Sequence, residues 1–259
     1  MNNFILNFKN FFQCLQWRWV YICPDSMTVI HLTGRWQIKI IEQSRLHTTG
    51  QEAVVALQLL KTWLIERALS LPIEVIVSSH YCRFMVLPWN EQLIDEQARL
   101  NLAQALLSRQ YSPEVAADYA FSLDKVHFGQ AQLATALAKV WLGSLTSALA
   151  QTACQLVSVQ PSVAIVWNRF YRELNTEWLV MIEQDRQVSI QQQHGYLQHL
   201  EVRPHQTGHA LPLQHGLSLF NHQEQAQALE GIPVLQLKSD ATLFMDDAEY
   251  ARYALCGVF

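Results

Sequence analysis

Residues 177–204 read EWLVMIEQDRQVSIQQQHGYLQHLEVRP. Trp178 to Ile182 is an unbroken apolar run, and Glu183-Gln184-Asp185-Arg186 is a polar turn. Val188 and Ile190 then alternate with Ser189 and Gln191, the period-two pattern of a strand with one face inward. His194-Gly195 makes a second tight turn, and Tyr196 to Val202 forms a third strand that Pro204 ends. The stretch predicts an antiparallel meander. A similar pattern occurs about half a chain earlier. Thr28 to Leu32 is apolar, Thr33-Gly34-Arg35 turns, and Trp36, Ile38 and Ile40 alternate with Gln37 and Lys39. Residue identity between the two is poor, so the repetition is one of elements.

Between and after the meanders lie helical stretches. Ala53, Leu57, Leu60, Leu64 and Ala68 share one face of a helix over 51–69, which Pro72 closes. Ile73 to Ser78 and Cys82 to Leu87 read as strands, with Ser79-His80-Tyr81 as a turn. Asp95 is placed to cap a helix carrying Leu100, Ala103, Leu106 and Leu107 inward. Strands are expected at 119–123, 131–140 and 156–159, the second alanine-rich with a helix as its alternative, and helices at 142–153 and from Pro161. Beyond a loop at 204–216 a helix (223–229), a strand (232–237) and a last helix (246–255) follow. The class is α/β. The expected organisation is an N-terminal extension over 1–26 outside the fold, a first half over 27–160 and a second over 161–259.

Composition narrows the function. The chain has 259 residues, half of them hydrophobic and 15% charged, which suits a well-filled core and not a disordered chain. Eighteen basic residues against 22 acidic give a net charge of −4, with no basic run of the kind a nucleic-acid binder presents. Five cysteines are widely spaced without a CxxC, so a disulfide framework or zinc knuckle is not expected. Residues 1–26 are aromatic-rich but interrupted by Asn, Lys, Gln and Arg, and form no signal-peptide core. No run approaches the ~18–20 apolar residues that span a bilayer, and the expected compartment is the cytoplasm.

The opening TVIHLTGRWQIKIIE, the pair IEVIVSSHYCRFMVLPW, and the meander at 177–204 together resemble the actin-like (RNase H-like) ATPase fold, a duplicated unit whose two lobes flank a cleft. More narrowly, residues 27–240 resemble the M protein of type IV pili and the cytoplasmic part of the type II secretion L protein. The resemblance implies that the two hairpin turns face a nucleotide's phosphates. It points to Thr33, Gly34 and Arg35 in the first turn and Asp185 and Arg186 in the second as degenerate phosphate-turn positions. The family's first turn is of Asp-Ile-Gly-Ser type. Here Leu32 falls where the Asp belongs, and Gly34 keeps the glycine. Met181-Ile182-Glu183 occupies the second turn, and Gly231 is the one candidate for the late adenosine-binding glycine. Phosphate loops work by offering backbone N–H groups from small residues, and magnesium needs oxygen ligands, which Leu32 lacks.

Other constellations carry less. His205 and His209 are four apart, with His199 and His215 near them, but Pro204, Gly208 and Pro212 deny them a helix, so no metal is expected. Ser78-Ser79-His80 sits at a strand end, where the pleat would send neighbouring side chains to opposite faces. Asp246-Asp247 suits a helix start. Trp89, Trp141 and Trp167 suit core or groove positions, and an aromatic groove would take a peptide. The resemblance implies a non-catalytic adaptor, peripheral to the inner membrane, whose cleft binds the cytoplasmic tail of an inner-membrane pilus or secretion component. Nucleic acid is not an expected partner. An ATPase or small-molecule kinase using ATP and magnesium is the alternative; it would need an acid at each turn, with Glu183 or Asp185 serving the second.

Overall fold

A computed structural model describes residues 16–34, 39–48, 53–93, 95–125, 128–172, 174, 177–183 and 186–204, and the backbone of 217–221. The first element corrects the sequence reading. β1 (Gln16–Ile22) lies inside the fold, so residues 16–26 are not an outlying extension. β2 (Ser26–Thr33) pairs antiparallel with it, Ile22 opposite Met27 and Gln16 opposite Thr33. β3 (Lys39–His47) pairs antiparallel with β2, which is the hairpin expected over 28–42.

The physical reason for the misreading is that β1 is buried on both faces. Trp17, Trp19 and Tyr21 point one way, Arg18, Val20 and Ile22 the other, and Arg18 is 0% exposed. A fully buried arginine in mid-strand breaks the apolar signal that a strand covered on both faces ordinarily shows.

β4 (Pro72–Val77) runs parallel to β1 on its free side, and β8 (Gln155–Pro161) runs parallel to β4. The five-stranded order is β3-β2-β1-β4-β8. One face is covered by α1 (Ala53–Arg67) and α4 (Lys139–Ala150), through Leu57, Leu60, Leu64, Leu145 and Leu149. α5 (Ser162–Phe170) starts directly after β8 and packs on the other face.

Between β4 and α4 the chain builds a separate three-stranded sheet. β5 (Cys82–Leu87), β6 (Tyr119–Leu123) and β7 (Gln132–Ala138) pair antiparallel in the order β5-β7-β6. α2 (Glu96–Gln110) and the short α3 (Pro113–Ala117) cover it through Ala103, Leu107 and Ala116. Asp95 caps α2 as expected, accepting from the Ala98 N–H at 3.1 Å. Ser112 caps α3 in the same way, with Pro113 in its first turn.

The meander at 177–204 forms as read. β9 (Trp178–Ile182), β10 (Arg186–Gln193) and β11 (Tyr196–Pro204) pair antiparallel. β12 (Leu217–Asn221), absent from the sequence reading, adds parallel to β9. The order β11-β10-β9-β12 repeats β3-β2-β1-β4 strand for strand. The duplication is real at the level of topology, but its register differs from the one read in sequence: 178–193 corresponds to β1–β2, not to β2–β3. The two sheets share one core, in which Trp17, Trp19 and Tyr21 join Val166 and Phe170 of α5 and Leu179, Met181, Val188 and Ile190 of the second sheet. The elements expected over 223–255, with Gly231, Asp246 and Asp247, lie outside the described residues.

Candidate functional site

Corresponding hairpins place corresponding turns. The first is Cys23-Pro24-Asp25 between β1 and β2, and the second begins at Glu183 between β9 and β10. Thr33 and Gly34 belong to the β2–β3 turn instead, at the other end of β2. Seven residues of strand, roughly 23 Å at ~3.3 Å each, separate them from Ser26. Gly34 does take a left-handed backbone, φ 116°, as a tight turn requires. Leu32 is a buried strand residue, so it does not stand at a phosphate turn. Arg186 opens β10, where its carbonyl accepts the Glu183 N–H at 2.8 Å. Arg35 and Asp185 lie outside the described residues. The structure therefore brings Arg186 to the turn that begins at Glu183 and does not bring Thr33 or Gly34 with it.

What meets at that end is a buried carboxyl. Glu183 is 0% exposed. Its Oε2 accepts from Ser78 Oγ at 2.9 Å, from the Ser79 N–H at 2.9 Å and from Ser79 Oγ. Its Oε1 accepts from Ser162 Oγ and, at 3.3 Å, from the Tyr21 hydroxyl. The donors come from the end of β1, the turn after β4 and the first residue of α5, the helix that leaves the first sheet; the acceptor follows β9 of the second sheet. Ser78 and Ser79 converge although they are adjacent, because both lie past Val77, where the pleat has ended and a turn has begun. The alternation used to set them aside does not apply there. His80 does not join them in a catalytic arrangement; its N–H donates to Ser78 Oγ at 3.2 Å.

Burial raises the Glu183 carboxyl above the ordinary glutamate range, and the donors from Ser162, Ser79 and Ser78 pull it back only in part. Its charge reaches two thiols. Cys23 is pushed up to about 12, chiefly by burial, and Cys82 is pushed up for the same reason. Both are inert as nucleophiles at neutral pH.

The first turn closes on itself. The Cys23 N–H donates to the Ser26 carbonyl at 3.0 Å, and Cys23 Sγ lies 3.1 Å from Ser26 Oγ. Thr48 ties the turn down from outside, donating its N–H to the Asp25 carbonyl at 2.7 Å and its hydroxyl to the Pro24 carbonyl at 3.1 Å. Pro24 has no N–H to offer an anion. Asp25 does supply the acid that the sequence reading found missing at the first turn. Among the described residues, Asp25 and Glu183 bring a carboxyl to each turn, and Pro24 has no N–H to offer there. Among the described residues no three His, Cys, Asp or Glu side chains are grouped to share a metal; His205, His209 and His215 lie outside them.

A groove of about 940 Å³ opens on the other side of α5, between that helix, the β10–β11 hairpin and the β6–β7 connection. Lys125, Trp167, Arg169, Tyr171, Arg172 and Tyr196 line it, with Asp124 as its one carboxylate among the described residues. Arg172 Nε donates to the Tyr171 hydroxyl at 2.7 Å, and Trp167 and Tyr171 stack with centroids 6.3 Å apart. Of the three tryptophans singled out in sequence, Trp167 reaches the groove and Trp141 sits in the helix-facing core. Trp89 packs edge-on against Phe128.

Solved structures carry the same architecture. The cytoplasmic domain of EpsL, an inner-membrane component of the type II secretion system of Vibrio cholerae, superposes with a TM-score of 0.53 at 10% identity, over 93% of this chain and 94% of that one. A Bacteroides thetaiotaomicron protein of unknown function with an actin-like ATPase fold gives 0.56 at 9% identity, over 93% and 89%. The fold is actin-like. The PilM–PilN type IV pilus biogenesis complex also matches, at 0.51 and 11% identity, over 72% of this chain and 60% of that one. No protein-family model matches this actin-like chain, and no curated protein matches it in sequence.

The sequence reading missed Tyr21, Asp25 and Ser162 as parts of the site. Pro24-Asp25-Ser26 is itself a turn signature and would have located the first turn had β1 been read as a strand.

Proposed function

We propose that this chain is a non-catalytic adaptor on the cytoplasmic side of an inner-membrane pilus or secretion assembly, holding the cytoplasmic tail of a membrane-anchored partner. The observation that carries this reading is Glu183. The position that could receive a phosphate between the two units holds a buried carboxyl whose hydrogen bonds are already made. The groove beside α5 is cationic and aromatic, chemistry that suits an extended tail rich in acidic or amide side chains. Among the described residues no helix is long and apolar enough to cross a membrane, so attachment would come through the partner. The structures it resembles include an inner-membrane secretion component and a pilus complex, and at 10–11% identity they support the fold and only suggest the setting.

The test is binding of synthetic cytoplasmic tails from such components to the full chain, followed by tryptophan fluorescence. Arg172→Glu should weaken binding about tenfold, as loss of a charged interface contact does, and leave the melting temperature in place. No tail binding at millimolar peptide sinks the reading.

Asp25 keeps a second reading in play, since each turn then carries an acid as an ATPase would need. Titration of ATP with magnesium into the full chain decides it. Micromolar binding, and turnover lost in Asp25→Asn, would displace the adaptor reading.

A further inference from the structure

The donors around Glu183 form a site in their own right. Tyr21 stands on β1, Ser78 and Ser79 in the turn after β4, and Ser162 at the start of α5. They are distant in sequence and converge on one carboxyl: three serine hydroxyls, one backbone N–H and one phenol. Ser78, Ser79 and Ser162 are all buried, at 0%, 2% and 0% exposure. Ser162 also opens a nine-residue helix, whose N-terminal end favours negative charge. A buried carboxyl in a core ordinarily leans on an arginine or lysine; here, among the described residues, hydroxyls and an amide supply its hydrogen bonds. Glu183 directly follows β9, so its carboxyl enters the pocket from the second sheet.

We infer that Tyr21, Ser78, Ser79 and Ser162 form a carboxyl receptor built by the first sheet and the start of α5, with Glu183 at the end of β9 as its resident ligand. The receptor takes a monocarboxylate of acetate size. Tethered binding fastens the two sheets together at the point where a free ligand would otherwise have to bridge them. This holds whether or not the chain is an adaptor.

The test removes the ligand and returns it free. Glu183→Ala deletes a CH2–COO group, which acetate replaces atom for atom. In the full chain carrying Glu183→Ala, about 200 mM acetate should raise the melting temperature by roughly 3–5 °C, the shift expected of a ligand at several times its dissociation constant. Chloride at equal ionic strength should not. Wild type, with its receptor filled, should show no acetate-specific shift, and adding Ser162→Ala to the variant should abolish most of it. Equal shifts in acetate and chloride overturn the inference. Should Glu183→Ala not fold in chloride, refolding from urea reads the same point: cooperative unfolding recovered in acetate supports the receptor, and no recovery in acetate overturns it.

Discussion

The two meanders share a topology and differ in how they close. In the first, Cys23-Pro24-Asp25 folds back on itself and is pinned from outside by Thr48. In the second, the turn sends Glu183 into hydroxyls supplied by β1, the turn after β4 and the start of α5. One turn is satisfied locally, the other only by a partner unit. Equivalent positions in a duplicated fold thus need not keep equivalent chemistry: backbone pairing preserves the architecture, and the turns are free to diverge.

The largest effect should come from removing the first meander's central strand. A chain beginning at Met27 lacks β1, the strand between β2 and β4, with Trp17, Trp19, Val20 and Ile22. Each buried side chain of this kind contributes roughly 1.5–3 kcal/mol. Such a chain should show no cooperative thermal transition by circular dichroism; a normal transition would put 16–26 back outside the fold.

Next in size is the cross-unit contact. Glu183→Ala leaves several buried donors without an acceptor, at about 3 kcal/mol in total, which calorimetry should read as a melting temperature lower by roughly 6–12 °C. A fall of under 1 °C would mean that the second turn, like the first, is held without donors from the other sheet. Removing the hydroxyl half of the first turn's tie, Thr48→Ala, should cost less, about 1 kcal/mol, because the residue 48 N–H still reaches the Asp25 carbonyl.

The pH dependence sharpens the same contrast. The Glu183 carboxyl is raised in the folded chain, so the folded state holds its proton more tightly than the unfolded one. The stability this adds is present below the ordinary glutamate range and is lost as pH rises through the folded value. Glu183→Gln should flatten that slope, leaving the share owed to Glu74, which burial also raises. Melting temperature against pH for the two proteins checks it; parallel curves would show that Glu183 does not titrate in this window.

The smallest effect concerns the two faces of β1. Arg18 lies at 0% exposure, its Nη1 3.3 Å from Cys154 Sγ and its guanidinium 5.3 Å from the Trp63 ring, with no hydrogen-bond partner at Nε or Nη2. Unlike Glu183, this buried charge is poorly supplied. Arg18→Met should be neutral or stabilising by about 1 kcal/mol, as when other buried ions give way to apolar side chains. A loss above that would show that the charge holds β1 in register against α1.

Much of the fold was legible in the chain. The second meander, α1, the Asp95 cap and β4 through β7 stood where period, caps and prolines put them, because those signals are local. β1 was not legible, since its burial on both faces comes from helices and a sheet that sequence does not place, and Arg18 masked it. β12 escaped because a short run beside a loop owes its strand form to β9. The site divides the same way. Sequence by itself determined that Glu183 could bring an acid to the second turn and that Ser78 and Ser79 stand at a strand end. Only the tertiary structure decided that Glu183 meets Ser78, Ser79, Ser162 and Tyr21, partners up to 162 residues away. Hydrogen bonding acts over about 3 Å, and which groups come that close is set by how the two sheets pack, not by spacing along the chain.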